Sequence, residues 1–241
     1  MTFQDFLHYG LSFFVRRPEF FERSGDVVMM LCLFGFVLLT VAAGYFCGCF
    51  NSAIVISKKI YGTDIRDKGS NNAGMTNMFR TFGKNAGFLT LVGDAAKTLV
   101  AVAAGYTFLG YTGAWLAGLF CVLGHMFPFC YGFRGGKGVL VSAVLLLLTD
   151  WPVALLCILA FAVVLIGTRM VSLASIMTAF VMPLFLDVVH RVIPIGYQDG
   201  SLSGPISIVI TVLIVLGHKE NMKRIQQGKE PKIRLPWDKK Q

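Results

Sequence analysis

The sequence predicts an all-α, polytopic integral membrane protein with about seven transmembrane helices, some of them short or re-entrant. Three observations predict it. Hydrophobic residues make up 55% of the 241 residues and charged ones only 15%, whereas a soluble domain is about a quarter charged. The mean hydropathy is +0.67, with the apolar residues gathered into runs. All but one of the 22 lysines and arginines fall in a few segments outside those runs, a clustering that the excess of positive charge on the cytoplasmic side of membrane proteins explains.

The elements follow in order. Phe3, Phe6, Leu7, Leu11, Phe13 and Phe14 form an apolar stripe ahead of the Arg16-Arg17-Pro18 break, which predicts a short helix lying in the membrane interface. It belongs to an amino-terminal extension, residues 1–26, read as an anchor. Apolar runs then cover Val27 to Cys47, Ala86 to Leu109, Ala114 to Tyr131, Val139 to Leu148, Pro152 to Gly167, Val171 to Val189 and Pro205 to Gly217. Several can span, because ~20 residues at ~1.5 Å each cross the hydrocarbon. Val139 to Leu148 and Pro205 to Gly217 are short. They are tilted, polar-flanked spans, or one is a re-entrant piece buried by its neighbours. The first run is about twice a usual ~7 to 15 residue signal-peptide core and leads into polar sequence, so a cleaved signal is not expected. The membrane domain is 27–218, and a basic tail follows over 219–241.

Charge sets the topology. Six basic residues lie between Lys58 and Lys84, two at Arg134 and Lys137, one at Arg169 and eight from Lys219 to Lys240. With seven spans all four groups share one face, which predicts amino terminus out and carboxyl terminus in. Arg16, Arg17 and Arg23 oppose that orientation. Lys97 falls inside the second span. The six cysteines lie in or beside apolar runs without paired metal spacing, so no metal or cofactor is expected. The sequence points to no nucleic-acid partner and fixes no oligomeric state; a monomer is compatible with it.

Four polar clusters meet on the predicted inner face. The first is Gly69-Ser70-Asn71-Asn72-Ala73-Gly74-Met75-Thr76-Asn77-Met78-Phe79-Arg80, with Asp64-Ile65-Arg66 before it and Asp94-Ala95-Ala96-Lys97 after it. It is a wet site or a loop between spans. Asp94 and Lys97, three apart on one helical face inside a span, are a structural or a catalytic ion pair. The second cluster is Gly124-His125-Met126-Phe127-Pro128 with Gly132-Phe133-Arg134-Gly135-Gly136-Lys137-Gly138. Its glycine N–H groups and lysine have the chemistry of a phosphate nest; a glycine-rich turn is the alternative. Tyr131 and Gly138 exclude a P-loop of the G-x-x-x-x-G-K-[ST] type. His125 reads as a hydrogen-bonded packing residue. Ser172 and Ser175 share a face at a helix start, as an anion site or as a helix cap. The last cluster, His218 to Arg224, places His218 and Asn221 on one face; a basic juxtamembrane segment is its plain alternative.

Several cations, hydroxyl pairs and few carboxylates suit a substrate carrying phosphate. No H-x-x-x-x-D occurs, because the fifth residue after His8, His125, His190 and His218 is Phe13, Cys130, Ile195 and Lys223. A histidine–aspartate general base of that acyltransferase kind is therefore absent.

The order of these motifs resembles the PlsY family of bacterial membrane acyltransferases. The resemblance rests on Asp64-Ile65-Arg66, Gly69-Ser70-x-Asn72-x-Gly74-x-Thr76-Asn77-x-x-Arg80, Asp94-x-x-Lys97, Gly124-His125-x-Phe127-Pro128 and Gly135-Gly136-Lys137-Gly138. It continues through Ser172-Leu173-Ala174-Ser175-Ile176, His218-x-x-Asn221 and Arg224-x-x-x-Gly228. The chain departs from the family at Gly48-Cys49-Phe50-Asn51, usually Gly-Ser-Ile-Pro, and at Asn71, Met75, Thr98 and Lys219.

The resemblance implies transfer of an acyl group from acyl phosphate to the sn-1 hydroxyl of glycerol 3-phosphate. The products are lysophosphatidic acid and phosphate, in the first acylation of phospholipid synthesis at the cytoplasmic side of a bacterial cell membrane. It implies direct transfer without an acyl-enzyme, metal or nucleotide, with the substrate's own phosphate as base. Ser70, Arg80, Lys137, Ser175, His218 and Asn221 are the expected catalytic residues. Gly135, Gly136, Gly138, Asn72, Thr76 and Asn77 are expected to shape or contact the phosphate site. A transporter of organic phosphates and a lipid-binding scaffold are the competing readings of the same residues.

Overall fold

The structure, a computed structural model, describes residues 5, 8–193 and 202–233, and every regular element among them is helical. Phe3, Phe6 and Leu7 of the predicted interfacial helix lie outside the described residues. Within them, α1 (Ser12–Val15) is a single turn, and Leu11 N–H donates to Thr107 O at 2.7 Å. Pro18 opens α2 (Pro18–Cys49), a position where its missing N–H costs nothing. α2 breaks at Gly25, whose φ of 72° leaves the helical region. α3 (Ser52–Tyr61) starts on Asn51, whose Oδ1 accepts from Ile54 N–H at 3.1 Å.

After α4 (Met75–Phe82) comes α5 (Lys84–Met126), which is not one rod. Leu109 and Gly110 depart from helical φ/ψ, and Lys97 Nζ lies 2.8 Å from His125 Nδ1, 28 residues away. A straight helix would hold those residues ~42 Å apart. The two arms, 84–108 and 111–126, therefore fold back on each other, with Gly105 and Gly113 in backbone contact at the turn.

The remaining helices are α6 (Val139–Thr149), α7 (Trp151–Thr168), α8 (Val171–Val192), α9 (Ser203–Gly217) and α10 (Lys219–Gln226). Four segments among the described residues are long and apolar enough to cross a membrane, or five if α9 and α10, bent by 57°, make one span. One of the four, Lys84–Tyr131, contains the α5 hairpin, so it carries two of the predicted apolar runs.

Packing follows small residues. A methyl on Gly44 or Gly48 of α2 would overlap the Ala117 or Cys121 carbonyl, and one on Gly124 would overlap Tyr45 O. Such small-residue seams let helices approach closely where lipid offers no hydrophobic drive. Trp115, Leu145, Val153, Leu186 and Ile210 fill the core between the hairpin and α6 to α9. Phe34 and Leu38 of α2 and Phe180 and Leu184 of α8 point outward and are exposed, as lipid-facing side chains are.

At the end of the bundle near the hairpin turn, the buried Asp150 ties three elements together. It accepts from Tyr111 Oη at 2.8 Å and stands 2.8 Å from His190 Nε2. Asp150→Ala leaves the Tyr111 hydroxyl without that partner, and a drop of about 1–3 kcal/mol in unfolding free energy is expected. Unfolding in detergent measures it; an unchanged transition would mean that these groups find other partners.

Candidate active site

The first wall is the segment between α3 and α4. Asp64 caps the short turn Ile65–Asp67, accepting from Arg66 N–H at 3.0 Å. The Arg66 guanidinium grips the same carboxylate at 2.8 Å and reaches across to Tyr131 O at 2.7 Å and Arg134 O at 3.2 Å. That bond from Arg66 holds Asp64 well below the usual carboxylate range, against its partial burial. The first polar segment is thus stapled to the glycine-rich one.

Asn77 arranges the loop between. Its Oδ1 accepts from Ser70 N–H at 3.0 Å, and its amide donates to Lys68 O at 2.9 Å and Asn72 O at 3.0 Å. Apart from a 3.4 Å bond from the Thr81 hydroxyl to Oδ1, that side chain bonds only to backbone of its own segment, as expected of a residue that shapes the loop. Ser70, Asn72, Thr76 and Arg80 line a cavity of about 640 Å³. Thr76 and Arg80 are one helical turn apart on α4, and Arg80 is exposed with no ion pair among the described residues.

The second wall is the glycine-rich loop, and here the nest expectation is revised. Gly135 N–H donates to Met126 O and Gly136 N–H to His125 O, both at 3.0 Å. Neither N–H is open to a phosphate. Gly136 packs its Cα on the His125 ring, so that a Cβ would overlap Nε2. The two glycines allow close approach, and the loop's charge comes from Lys137. Gly138, in the left-handed region at φ 78°, turns the chain into α6.

The third wall joins α8, α9, α10 and the tail. Lys137 Nζ donates to Asn221 Oδ1. Asn221 Nδ2 donates to Glu230 Oε1 at 2.6 Å, Ser172 Oγ to the same oxygen at 2.7 Å, and Arg224 Nε to Glu230 Oε2 at 2.8 Å. Burial works against the Glu230 carboxylate, but these three bonds prevail and lower its pKa. Glu230 is the site residue that sequence reasoning missed. The available signal was an acid within a basic tail, two residues past Gly228. Through Asn221, Arg224, Glu230 and Pro231 the first part of the tail belongs to the cavity wall.

Ser175 Oγ donates to Val171 O at 2.9 Å, which leaves its oxygen able to accept. His218 sits at the α9–α10 bend and hydrogen bonds through Nδ1 to Ile214 O at 2.7 Å. A neutral ring in that tautomer presents Nε2 as an acceptor. Burial pushes Lys137 down to about 8, with Arg224 and Arg80 acting in the same sense and Glu230 against it. All six expected catalytic residues line the one cavity, as do Gly138, Asn72, Thr76 and Asn77; Gly135 and Gly136 do not.

Beyond Ser175 the cavity turns apolar. Leu146, Ala154, Cys157, Phe161 and Met182 line it, and the seven steps from Ser175 to Met182 carry it ~10 Å along α8. Ala143 and Ile158 on its rim are exposed, so the groove opens sideways between α6 and α7. One end is lined by cations and hydrogen-bonding groups and the other by apolar side chains.

A family model described as glycerol-3-phosphate acyltransferase matches residues 38–228. The chain belongs to the glycerol-3-phosphate acyltransferase family. Curated members include the glycerol-3-phosphate acyltransferase of Alkaliphilus metalliredigens, 34% identical over 81% of this chain and 95% of that protein. That of Geobacter sulfurreducens is 36% identical over 82% and 97%. Among solved structures, the chain is similar to PlsY (YgiH), an integral membrane glycerol 3-phosphate acyltransferase, in its glycerol 3-phosphate form. The TM-score is 0.73 at 33% identity, over 82% of this chain and 96% of that one. The lysophosphatidic acid form of PlsY gives 0.71 at 32% identity, over 82% and 95%. The family match includes all six residues of the expected catalytic set and ends before Glu230; residues 1–37 lie outside it.

Proposed function

We propose that the protein transfers an acyl group from acyl phosphate to the sn-1 hydroxyl of glycerol 3-phosphate, releasing lysophosphatidic acid and phosphate. The observation that carries this reading is one cavity with Ser70, Arg80, Lys137, Ser175, His218 and Asn221 at its polar end and an apolar groove behind them. A single-chain lipid phosphate has those two ends.

The substrate hydroxyl oxygen attacks the carbonyl carbon of the mixed anhydride, and the carbon–oxygen bond to phosphate breaks. The hydroxyl proton passes to a substrate phosphate oxygen. Glu230 is held by three hydrogen bonds and Asp94 faces Lys97 at 2.9 Å, so the two carboxylates lining the cavity are already committed. Arg80 and Lys137 balance the phosphates and the charge that grows on the leaving group, while Ser70, Ser175, His218 and Asn221 fix their orientation. The donor's tail lies in the apolar groove and enters from the bilayer.

The same reading takes the seven apolar runs as seven spans. The α5 arms then count separately, and the short α6 (11 residues) and α9 (15 residues) are completed by the polar segments around them. The basic segments and the cavity mouth face the cytoplasm of a bacterial cell, with residues 1–26 outside.

Purified protein given palmitoyl phosphate and labelled glycerol 3-phosphate is expected to form labelled lysophosphatidate, with palmitoyl-CoA inactive as donor. Product from the thioester alone would overturn the donor assignment. Uptake of the label into proteoliposomes without acylation would favour transport.

A further inference from the structure

Lys97 lies on the first α5 arm and is only 6% exposed. An ammonium at that depth in a membrane protein is costly unless fully partnered, and its partners reveal its use. Nζ donates to Phe50 O at 2.7 Å and to Gly48 O at 3.3 Å, the carbonyls that end α2. It stands 2.8 Å from His125 Nδ1 and 2.9 Å from Asp94 Oδ1. That aspartate oxygen receives no directed hydrogen bond, so Asp94 serves as the charge partner while the hydrogens go elsewhere.

An ammonium only donates. His125 Nδ1 must then accept, and the ring's own hydrogen resides on Nε2. Nε2 is the atom against which Gly136 packs. His125 meets the same glycine a second time, because its carbonyl accepts Gly136 N–H at 3.0 Å. The loop ahead of Lys137 is seated on both the ring and the backbone of one residue, and that ring's tautomer is dictated from its far side.

We propose that Asp94, Lys97 and His125 form a positioning device: Lys97 fixes His125 in the Nε2–H tautomer, and the fixed ring seats Gly136 so that Lys137 points at the phosphate end of the cavity. The device rests on reading that cavity as an acyltransferase site. It also joins the end of α2, both arms of α5 and the glycine-rich loop at one point, which accounts for a buried ion pair that the reaction itself does not use.

Two measurements test it. NMR of ¹⁵N-histidine protein in detergent reads the tautomer without any assay. His125, assigned by its loss in His125→Gln, is expected with Nε2 protonated and Nδ1 bare, opposite to His218, whose Nδ1 bonds Ile214 O. A protonated Nδ1 on His125 overturns the proposal. The acyl-transfer assay supplies the second. His125→Gln places an amide nitrogen near Nε2 and is expected to keep most activity. His125→Asn places one near Nδ1 and is expected to lose about tenfold to a hundredfold in kcat/KM at an equal unfolding midpoint. Asp94→Asn combined with Lys97→Met removes both charges, and is expected to regain the midpoint lost in Lys97→Met while staying at least about tenfold down in kcat/KM. Equal activity of the Gln and Asn variants, or full recovery in the double variant, overturns the device. Unsubstituted protein that transfers no acyl group counts against the function alone, because the tautomer is still read by NMR.

Discussion

Lys137→Met is expected to lower kcat/KM for acyl transfer by about 10²- to 10³-fold, the usual loss when a preorganised group that stabilises transition-state charge is removed. On the proposed function the cavity takes two phosphorylated substrates, and Lys137 is the partly buried cation beside Asn221. The substitution keeps most of the side chain's bulk and removes its charge. The same residue sets an alkaline limb. Burial brings Lys137 down to about 8, so the charged form that holds phosphate prevails below that pH and is lost above it. The free-enzyme parameter kcat/KM should therefore fall as pH rises through about 8. In Lys137→Arg the limb should vanish, because a guanidinium stays charged there. A flat alkaline profile for the unsubstituted protein would remove Lys137 from this role.

Gly136→Ala is expected to be nearly as damaging, for a steric reason. The added carbon would overlap His125 Nε2 and stand 2.8 Å from Ala73 O. Overpacking of this kind costs about 1–3 kcal/mol, and any relief moves the loop that carries Lys137. A displacement near 1 Å is enough for a loss of about 10²-fold in kcat/KM. Gly132→Ala is the control. Gly132 has open space around it but a φ of +67°, so its substitution strains the backbone by about 1 kcal/mol or more without touching His125. If the two variants lose the same activity, the loop is not seated on the histidine.

Residue type and spacing made much of this site legible. Arg80 and Lys137 carry chemistry in their identity, and the run of polar residues from Ser70 to Arg80 stands out in so apolar a chain. What those groups bond to was not legible. Asn77 sits in the motif like a ligand, yet its amide is used by three carbonyls of its own loop. The glycine-rich segment reads equally as a nest or a turn, and only the direction of the Gly135 and Gly136 N–H groups, both bonded to backbone carbonyls, favours close packing for those two. Glu230 was hidden because its meaning depends on a fold-back to Ser172, 58 residues earlier. The helical class was plain from the apolar runs. The hairpin in α5 was visible only as a gap between two of them, since its turn is made by Leu109 and Gly110 rather than by a polar loop.

Glu230 also bears on the order in which the cavity is built. A chain is made from its amino end, so Ser70 and Arg80 are made early, and Asn221 follows only after α9. Asn221 and Arg224 then still lack the carboxylate that holds them, because Glu230 emerges later and must fold back onto α8 and α10. The wall that Ser172, Asn221 and Arg224 share with Glu230 is thus the last part of the cavity to be completed as the chain is made.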